Sequence, residues 1–165
     1  MTIDDLDAVA ELEGQVYDDP WPITAYRHEL ENGSQAHYWV AYRNLAANEA
    51  WPELEIVGFG GLWMQYDTAH INTLAVRPDC RRRGVAEQLL VRLIDWSIEQ
   101  GAQELTLEVR ESNVAAQALY AKFGFDVVGH RKRYYANNDE DALIMTTPLV
   151  TDPEWLALLS ALRGQ

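Results

Sequence analysis

Positive charge is scarce in this chain. Thirteen Lys and Arg stand against 26 Asp and Glu, a formal net charge of −13. Such a chain repels phosphate backbones, which argues against DNA or RNA as its main ligand. The acidity fits two readings. It keeps the protein soluble, or it attracts a basic partner and speeds the encounter. Cysteine is nearly absent, with Cys80 the one thiol. An intramolecular disulfide is therefore excluded, and nothing points to an oxidising compartment. Four histidines, His28, His37, His70 and His130, form no ligand-spaced pair, so no metal site is expected. No apolar run approaches the roughly 18 residues a membrane helix needs. Met1-Thr2-Ile3-Asp4-Asp5 lacks the basic start and apolar core of a signal peptide. A soluble, cytoplasmic protein without membrane contact is the expectation. With 165 residues, 48% hydrophobic and 24% charged, the chain suits one globular domain and not a collagenous or disordered one.

Periodicity supplies the elements. Leu6, Val9, Ala10, Glu13 and Val16 recur at helical spacing from about Asp4, and Asp18-Asp19-Pro20-Trp21-Pro22 ends that helix. A second helix starts near Ile23 or Thr24 and stops at Asn32-Gly33. Strands are expected over His37–Arg43, Glu55–Tyr66 and Ala69–Val76, with a hairpin loop from Leu45 to Leu54 and a turn at Asp67-Thr68. A loop from Arg77 to Arg83 opens into the strongest helix, Gly84–Gln100, with Leu89, Leu90, Leu93 and Ile94 as its apolar stripe. Leu105, Leu107 and Val109 alternate with Thr106, Glu108 and Arg110, the pattern of a strand. A helix over Val114–Phe123 follows, capped by Ser112 or Asn113 and stopped by Gly124. Strands over Phe125–Ala136 and Ala142–Pro148 and a last helix over Asp152–Leu162 complete the chain. The order α-α-β-β-β-α-β-α-β-β-α predicts one α/β domain, a mixed central sheet flanked by helices on both faces.

The chemistry concentrates in Leu74-Ala75-Val76-Arg77-Pro78-Asp79-Cys80-Arg81-Arg82-Arg83-Gly84-Val85-Ala86-Glu87. A strand runs through an arginine-rich loop of the form Arg-x-x-Gly-x-Ala into a helix. The first turn of a helix leaves backbone N–H groups unpaired and carries roughly half a positive charge. Gly84 and the small Ala86 let a diphosphate approach those amides, and the arginines add charge for further phosphates. An anion cradle and a basic, solvated turn fit the loop alone equally well. It is neither a P-loop nor a dinucleotide fingerprint, because neither glycine pattern occurs.

Three blocks carry a resemblance. The loop is similar to the acetyl-CoA pyrophosphate loop of the GNAT superfamily of N-acetyltransferases. Leu107 to Phe125, a strand, an Asn, an alanine-rich helix, Leu-Tyr and Gly-Phe, resembles the second half of that family's core. Arg131-Lys132-Arg133-Tyr134-Tyr135 with Glu140 to Met145, and Pro20-Trp21, look like the RimI-type branch, which acetylates the N-terminal alanine of small-subunit ribosomal protein number eighteen. The resemblance runs from about Leu6 to Leu149. It implies a GNAT fold over 1–149 with a helical extension over 150–165, and direct transfer from acetyl-CoA without a metal. Leu74, Ala75 and Val76 would run beside the pantetheine; Arg82, Arg83, Gly84, Val85, Ala86 and Glu87 would take the pyrophosphate, with Arg81 opening the motif. Asn113 would be the family's cofactor-binding asparagine, Glu108 the general base and Tyr120 the general acid. The implied partner is a basic N-terminal peptide of a ribosomal protein, and the implied assembly a monomer or weak homodimer.

The chemistry suits those roles. An N-terminal amine has a pKa of about 8 and must lose a proton to attack a thioester. A partly buried carboxylate at Glu108 is expected to be tuned upward as a base, directly or through water. Tyr120 lies on the following helix, where it can protonate or stabilise a leaving thiolate. Each residue also has a plainer reading: Glu108 as an outer-face strand residue, Tyr120 as core or rim, Asn113 as a helix cap, Cys80 as a loop thiol. Tyr134 and Tyr135 either line a peptide groove or fill the sheet. Two departures from the RimI pattern stand out. The family's first strand is short or missing here, and Asp19 precedes Pro20-Trp21 where an aromatic is usual. Rival functions are acetylation of another protein N-terminus, a lysine or a small amine, and a non-catalytic acetyl-CoA-binding module.

Overall fold

The computed structural model describes residues 1–33, 35–46 and 53–163. A 3-10 turn over Ile3–Asp5 leads into α1 (Leu6–Val16) and α2 (Ile23–Asn32). Then come β1 (Ala36–Asn44), β2 (Leu54–Gln65), β3 (Thr68–Val76), α3 (Val85–Glu99), β4 (Glu104–Arg110), α4 (Val114–Lys122), β5 (Asp126–Tyr135), β6 (Glu140–Thr146) and α5 (Pro153–Arg163). The strands form one sheet in the order β1-β2-β3-β4-β6-β5. β3 and β4 run parallel, while β4–β6 and β5–β6 are antiparallel. This is the mixed α/β architecture and element order expected from the sequence. Among the described residues no strand precedes α1. The middle of the expected hairpin loop, 47–52, lies outside the described residues.

Two compact units partition the chain: Met1–Leu62 with Thr73–Leu93, and Trp63–Asn72 with Ile94–Gln165. In the first, Leu6, Val9 and Leu12 of α1 share one helix face and meet Tyr26, Tyr38, Phe59 and Ala75 in a buried cluster. Glu13 is buried there too, and accepts hydrogen bonds from the Tyr26 hydroxyl and, at 3.2 Å, from the Trp21 amide. Burial pushes its carboxyl upward, against those two bonds. A second cluster joins Val57, Val76, Cys80 and Leu89, with Val85 and Ala86 packed on it. Gly58 permits this. A Cβ there would lie 2.9 Å from the Ala75 carbonyl oxygen and 3.1 Å from Val85 Cγ1. The start of α3 seats on the strands only because that position has no side chain.

In the second unit, Leu105, Leu107 and Val109 are buried as alternation predicts, leaving Thr106, Glu108 and Arg110 on the opposite face. Asn113 caps α4 by accepting from the Ala116 amide at 3.1 Å. α4 ends at Gly124, whose φ of 81° is left-handed. α5 docks at that end. Asp152 Oδ1 accepts from the Glu154 and Trp155 amides at 2.9 and 3.0 Å. The buried Trp155 indole donates to the Phe123 carbonyl at 2.9 Å.

Several details differ from the sequence reading. β6 starts two residues earlier than expected and ends two earlier, because Glu140 already pairs with Tyr135 and Ala142 with Arg131. At its far end, Thr147 continues the link to β4 by other means, its hydroxyl accepting from the Leu105 amide at 3.0 Å. The β2–β3 turn falls on Tyr66 and Asp67, one residue early, with Tyr66 in the left-handed region at φ 57°. The arginine loop contains a short 3-10 turn over Pro78–Cys80. Gly33 ends α2 without left-handed geometry, its φ being −88°. It is glycine for a steric reason, since a Cβ would sit 2.5 Å from the Glu29 carbonyl oxygen.

Gly124→Ala tests the α4–α5 junction. A Cβ at this left-handed position would lie 2.6 Å from Trp155 Cδ1. The expected loss of stability is about 1–3 kcal/mol, measured by denaturant unfolding. An unchanged midpoint would mean that α5 does not bear on this turn.

Candidate active site

All the expected cofactor residues except Asn113 fall in the first unit. Leu74, Ala75 and Val76 form the C-terminal end of β3, with Ala75 and Val76 buried. Arg82 and Arg83 are exposed in the loop, Gly84 precedes α3, and Val85, Ala86 and Glu87 make its first turn. Gly84 accepts the first helical bond, from the Gln88 amide at 3.0 Å. Its own φ is 82° and that of Arg82 is 61°. Two left-handed residues with one residue between them thus stand directly before the helix start. No neighbouring atom lies within 4 Å of where a Gly84 Cβ would stand, so the glycine leaves open space over the helix start.

The loop sorts its arginines. Arg77 pairs with Asp79 at 2.8 Å and with Glu55, which also holds Arg43. Arg81 donates to the Val76 carbonyl at 3.2 Å, fastening the loop to the end of β3. Arg82 and Arg83 make no ion pair among the described residues and remain available for an anion. Cys80 is buried, with an Arg43 guanidinium nitrogen 3.5 Å from its sulfur.

Glu108, Asn113 and Tyr120 fall in the second unit. Asn113 is occupied as the cap of α4. Tyr120 is buried on α4, its ring 5.7 Å from that of Phe125. Glu108 projects from β4 with only 8% of its side chain exposed, and both of its oxygens are engaged. His70 Nε2, from β3, lies 2.5 Å from Oε2. An Arg131 guanidinium nitrogen, from β5, lies 3.1 Å from Oε1. The Trp63 ring stacks on the His70 imidazole, centroids 5.7 Å apart and planes 28° apart.

This overturns the expectation that Glu108 is tuned upward. The hydrogen bond from His70 holds its carboxyl below the ordinary 4.5, against the opposite pull of burial. The positive charge of Arg131 adds to the same effect. Tyr134 and Tyr135 beside this cluster are pushed upward, chiefly by burial, Tyr135 to about 12. Tyr135 also lies under Arg110, 3.8 Å from its ring centre.

His70 and Arg131 had no assigned role in the sequence reading. Their signal was present as alternation: Thr68, His70 and Asn72 share one face of β3, as Thr106, Glu108 and Arg110 share one face of β4. Pairing of His70 with Thr106 brings those faces together, and that register joins residues far apart in the chain.

Comparison with known proteins decides the family. The model of the acetyltransferase (GNAT) family matches residues 6–125. The chain belongs to the GNAT acetyltransferase family. A Salmonella typhimurium relative, a ribosomal protein bS18-alanine N-acetyltransferase, is 34% identical over 147 residues, covering 88% of this chain and 92% of its own length. The Mycobacterium tuberculosis N-alpha-acetyltransferase RimI is 35% identical over 151 residues, covering 88% and 87%. The crystal structure of the ribosomal-protein-S18-alanine N-acetyltransferase from Escherichia coli superposes with a TM-score of 0.78 at 30% identity, covering 93% of this chain and 94% of that one. The chain therefore keeps that fold across nearly its whole length. No helix among its described residues is long and apolar enough to cross a membrane.

The Glu108 cluster predicts a pH dependence of stability. A carboxyl lowered on folding stabilises the fold above its unfolded pKa, and the effect is lost as pH falls through the folded value. The stability advantage of the wild-type chain over Glu108→Gln is therefore complete above about pH 5 and shrinks below it. Urea unfolding of both proteins between about pH 6 and 3 checks this. A gap that stays constant with pH would show that the carboxylate is not held as an anion.

Proposed function

We propose that this acetyltransferase moves the acetyl group of acetyl-CoA directly onto the amine of an N-terminal alanine, that of small-subunit ribosomal protein bS18. The observation that carries the reading is Glu108: a nearly buried anion on β4, where the resemblance to RimI-type enzymes assigns the base. The names of the Salmonella and Escherichia coli relatives support the acceptor. A putting-together of Arg82, Arg83, the Gly84 opening and the first-turn amides of α3 supports a phosphate-rich cofactor. Residues 1–149 are the acetyltransferase domain on this reading, with 150–165 as its helical extension.

In this scheme Leu74, Ala75 and Val76 run beside the pantetheine, and Arg82 to Glu87 hold the pyrophosphate. Asn113 contributes to the cofactor site from the start of α4. The amine lone pair attacks the thioester carbonyl carbon, the C–N bond forms and the C–S bond breaks. Glu108 is the carboxylate of the general base that receives the amine proton, and Tyr120 supplies a proton to the departing thiolate. A basic terminus suits a chain of net charge −13, which speeds its approach.

Release of CoA thiol with a short basic peptide beginning in alanine tests the acceptor. Turnover is expected with the free terminus and not with the same peptide blocked. Equal rates with both peptides would move the reading to a lysine acceptor, and absence of turnover despite acetyl-CoA binding to a small amine or a binding module. Tyr120→Phe is expected to lower kcat by about tenfold or more while the chain stays folded by circular dichroism. A wild-type rate would remove Tyr120 from the mechanism.

A further inference from the structure

Glu108 is poorly suited to take a proton by itself. Both of its oxygens are already in charge-assisted contacts, with His70 Nε2 at 2.5 Å and Arg131 at 3.1 Å. A carboxylate so held resists protonation, and its lowered pKa agrees. An amine of pKa about 8 would give up its proton to such an acceptor only steeply uphill.

His70 has the complementary properties. A carboxylate oxygen 2.5 Å from Nε2 requires a proton between the two atoms, so Nε2 carries the hydrogen. The lone pair of the neutral ring then sits on Nδ1, which makes no hydrogen bond to the protein among the described residues. The His70 side chain is 19% exposed against 8% for Glu108, so the imidazole is the more accessible partner. Stacking on Trp63 from β2 fixes its plane.

We propose that the base is the His70–Glu108 pair, in which the His70 imidazole receives the amine proton at Nδ1 and Glu108 is the anion that orients and stabilises it. The inference rests on the acetyltransferase reading and assigns the proton within its base. The charged and titratable groups around the pair are Arg131, Tyr134 and Tyr135 of β5, all acting on Glu108. Arg131 disfavours an imidazolium, and the intervening carboxylate offsets it. The step balances. An ammonium terminus first gives one proton to His70 Nδ1, directly or through a water; the amine so formed bonds to the acetyl carbon, and its second proton leaves to solvent as the tetrahedral intermediate collapses. The C–S bond breaks, and the thiolate takes a proton from Tyr120. Solvent then returns the His70 proton to Tyr120, leaving amide and free thiol.

His70→Gln discriminates between a base and a mere support. The glutamine amide keeps a hydrogen bond to Glu108 but has no site for the proton. The expected outcome is a fall in kcat of about a hundredfold near pH 7, with the KM for acetyl-CoA unchanged. The deficit should narrow above about pH 8, where the acceptor amine arrives deprotonated. The double variant His70→Gln/Glu108→Gln should be about as slow as either single one, as for residues acting as a unit. A far-downfield imidazole N–H proton signal in the wild-type protein, lost in Glu108→Gln, provides a readout independent of turnover. A His70→Gln protein with wild-type kcat and pH profile, beside an active wild-type enzyme, overturns the pair and leaves Glu108 as sole base. A wild-type chain inert toward every amine, in contrast, overturns the acetyltransferase reading itself and the pair with it.

Discussion

Parallel strands in register place side chains of the same parity on one face, and residues two apart on neighbouring strands become diagonal neighbours. Pairing of His70 with Thr106 therefore sets His70 beside Glu108, and pairing of Glu108 with Ile144 of β6 keeps the carboxylate within reach of β5 beyond. The ion cluster at the candidate base depends on this register. A shift of one residue would turn Glu108 into the face occupied by Leu105, Leu107 and Val109. The buried alternation of β4 is thus also what aims the carboxylate. Core packing and site geometry are enforced by the same three apolar side chains.

Much of this was readable in advance for physical reasons. α3 has an unbroken apolar stripe and a left-handed Gly101 just past its end, both local signals. The arginine loop stood out because clustered arginines at a helix start are rare in so acidic a chain. The cluster around Glu108 was not readable, because alternation tells which face a residue occupies and not which strand lies next to it. His70 and Glu108 are 38 positions apart, and only the sheet order makes them neighbours. The direction of the Glu108 shift was misjudged for that reason. Burial alone raises a carboxyl, and the partners that reverse it come from β3 and β5. Arg82 escaped notice as a left-handed residue because nothing in its type marks it, unlike Gly84.

The two ends of the proposed reaction ask for opposite electrostatics, and the chain meets them at different length scales. Acetyl-CoA is an anion and a basic peptide is a cation, while the chain carries −13. At physiological salt, charges more than about 8 Å apart are largely screened from each other. Beyond that distance an approaching molecule senses mainly the average, which favours the peptide. Within it the immediate neighbours decide. In the loop, Glu55 and Asp79 neutralise Arg77, and the Val76 carbonyl takes Arg81. Arg82 and Arg83 keep their full charge next to the amides of α3. The acid surplus thus does not weaken the cradle in proportion to its size, because Glu55 and Asp79 are engaged by Arg77, an arginine that serves the structure. Raising the salt should accordingly slow the encounter with a basic peptide more than it loosens a diphosphate already seated against backbone N–H groups, since the first is a long-range effect and the second a contact.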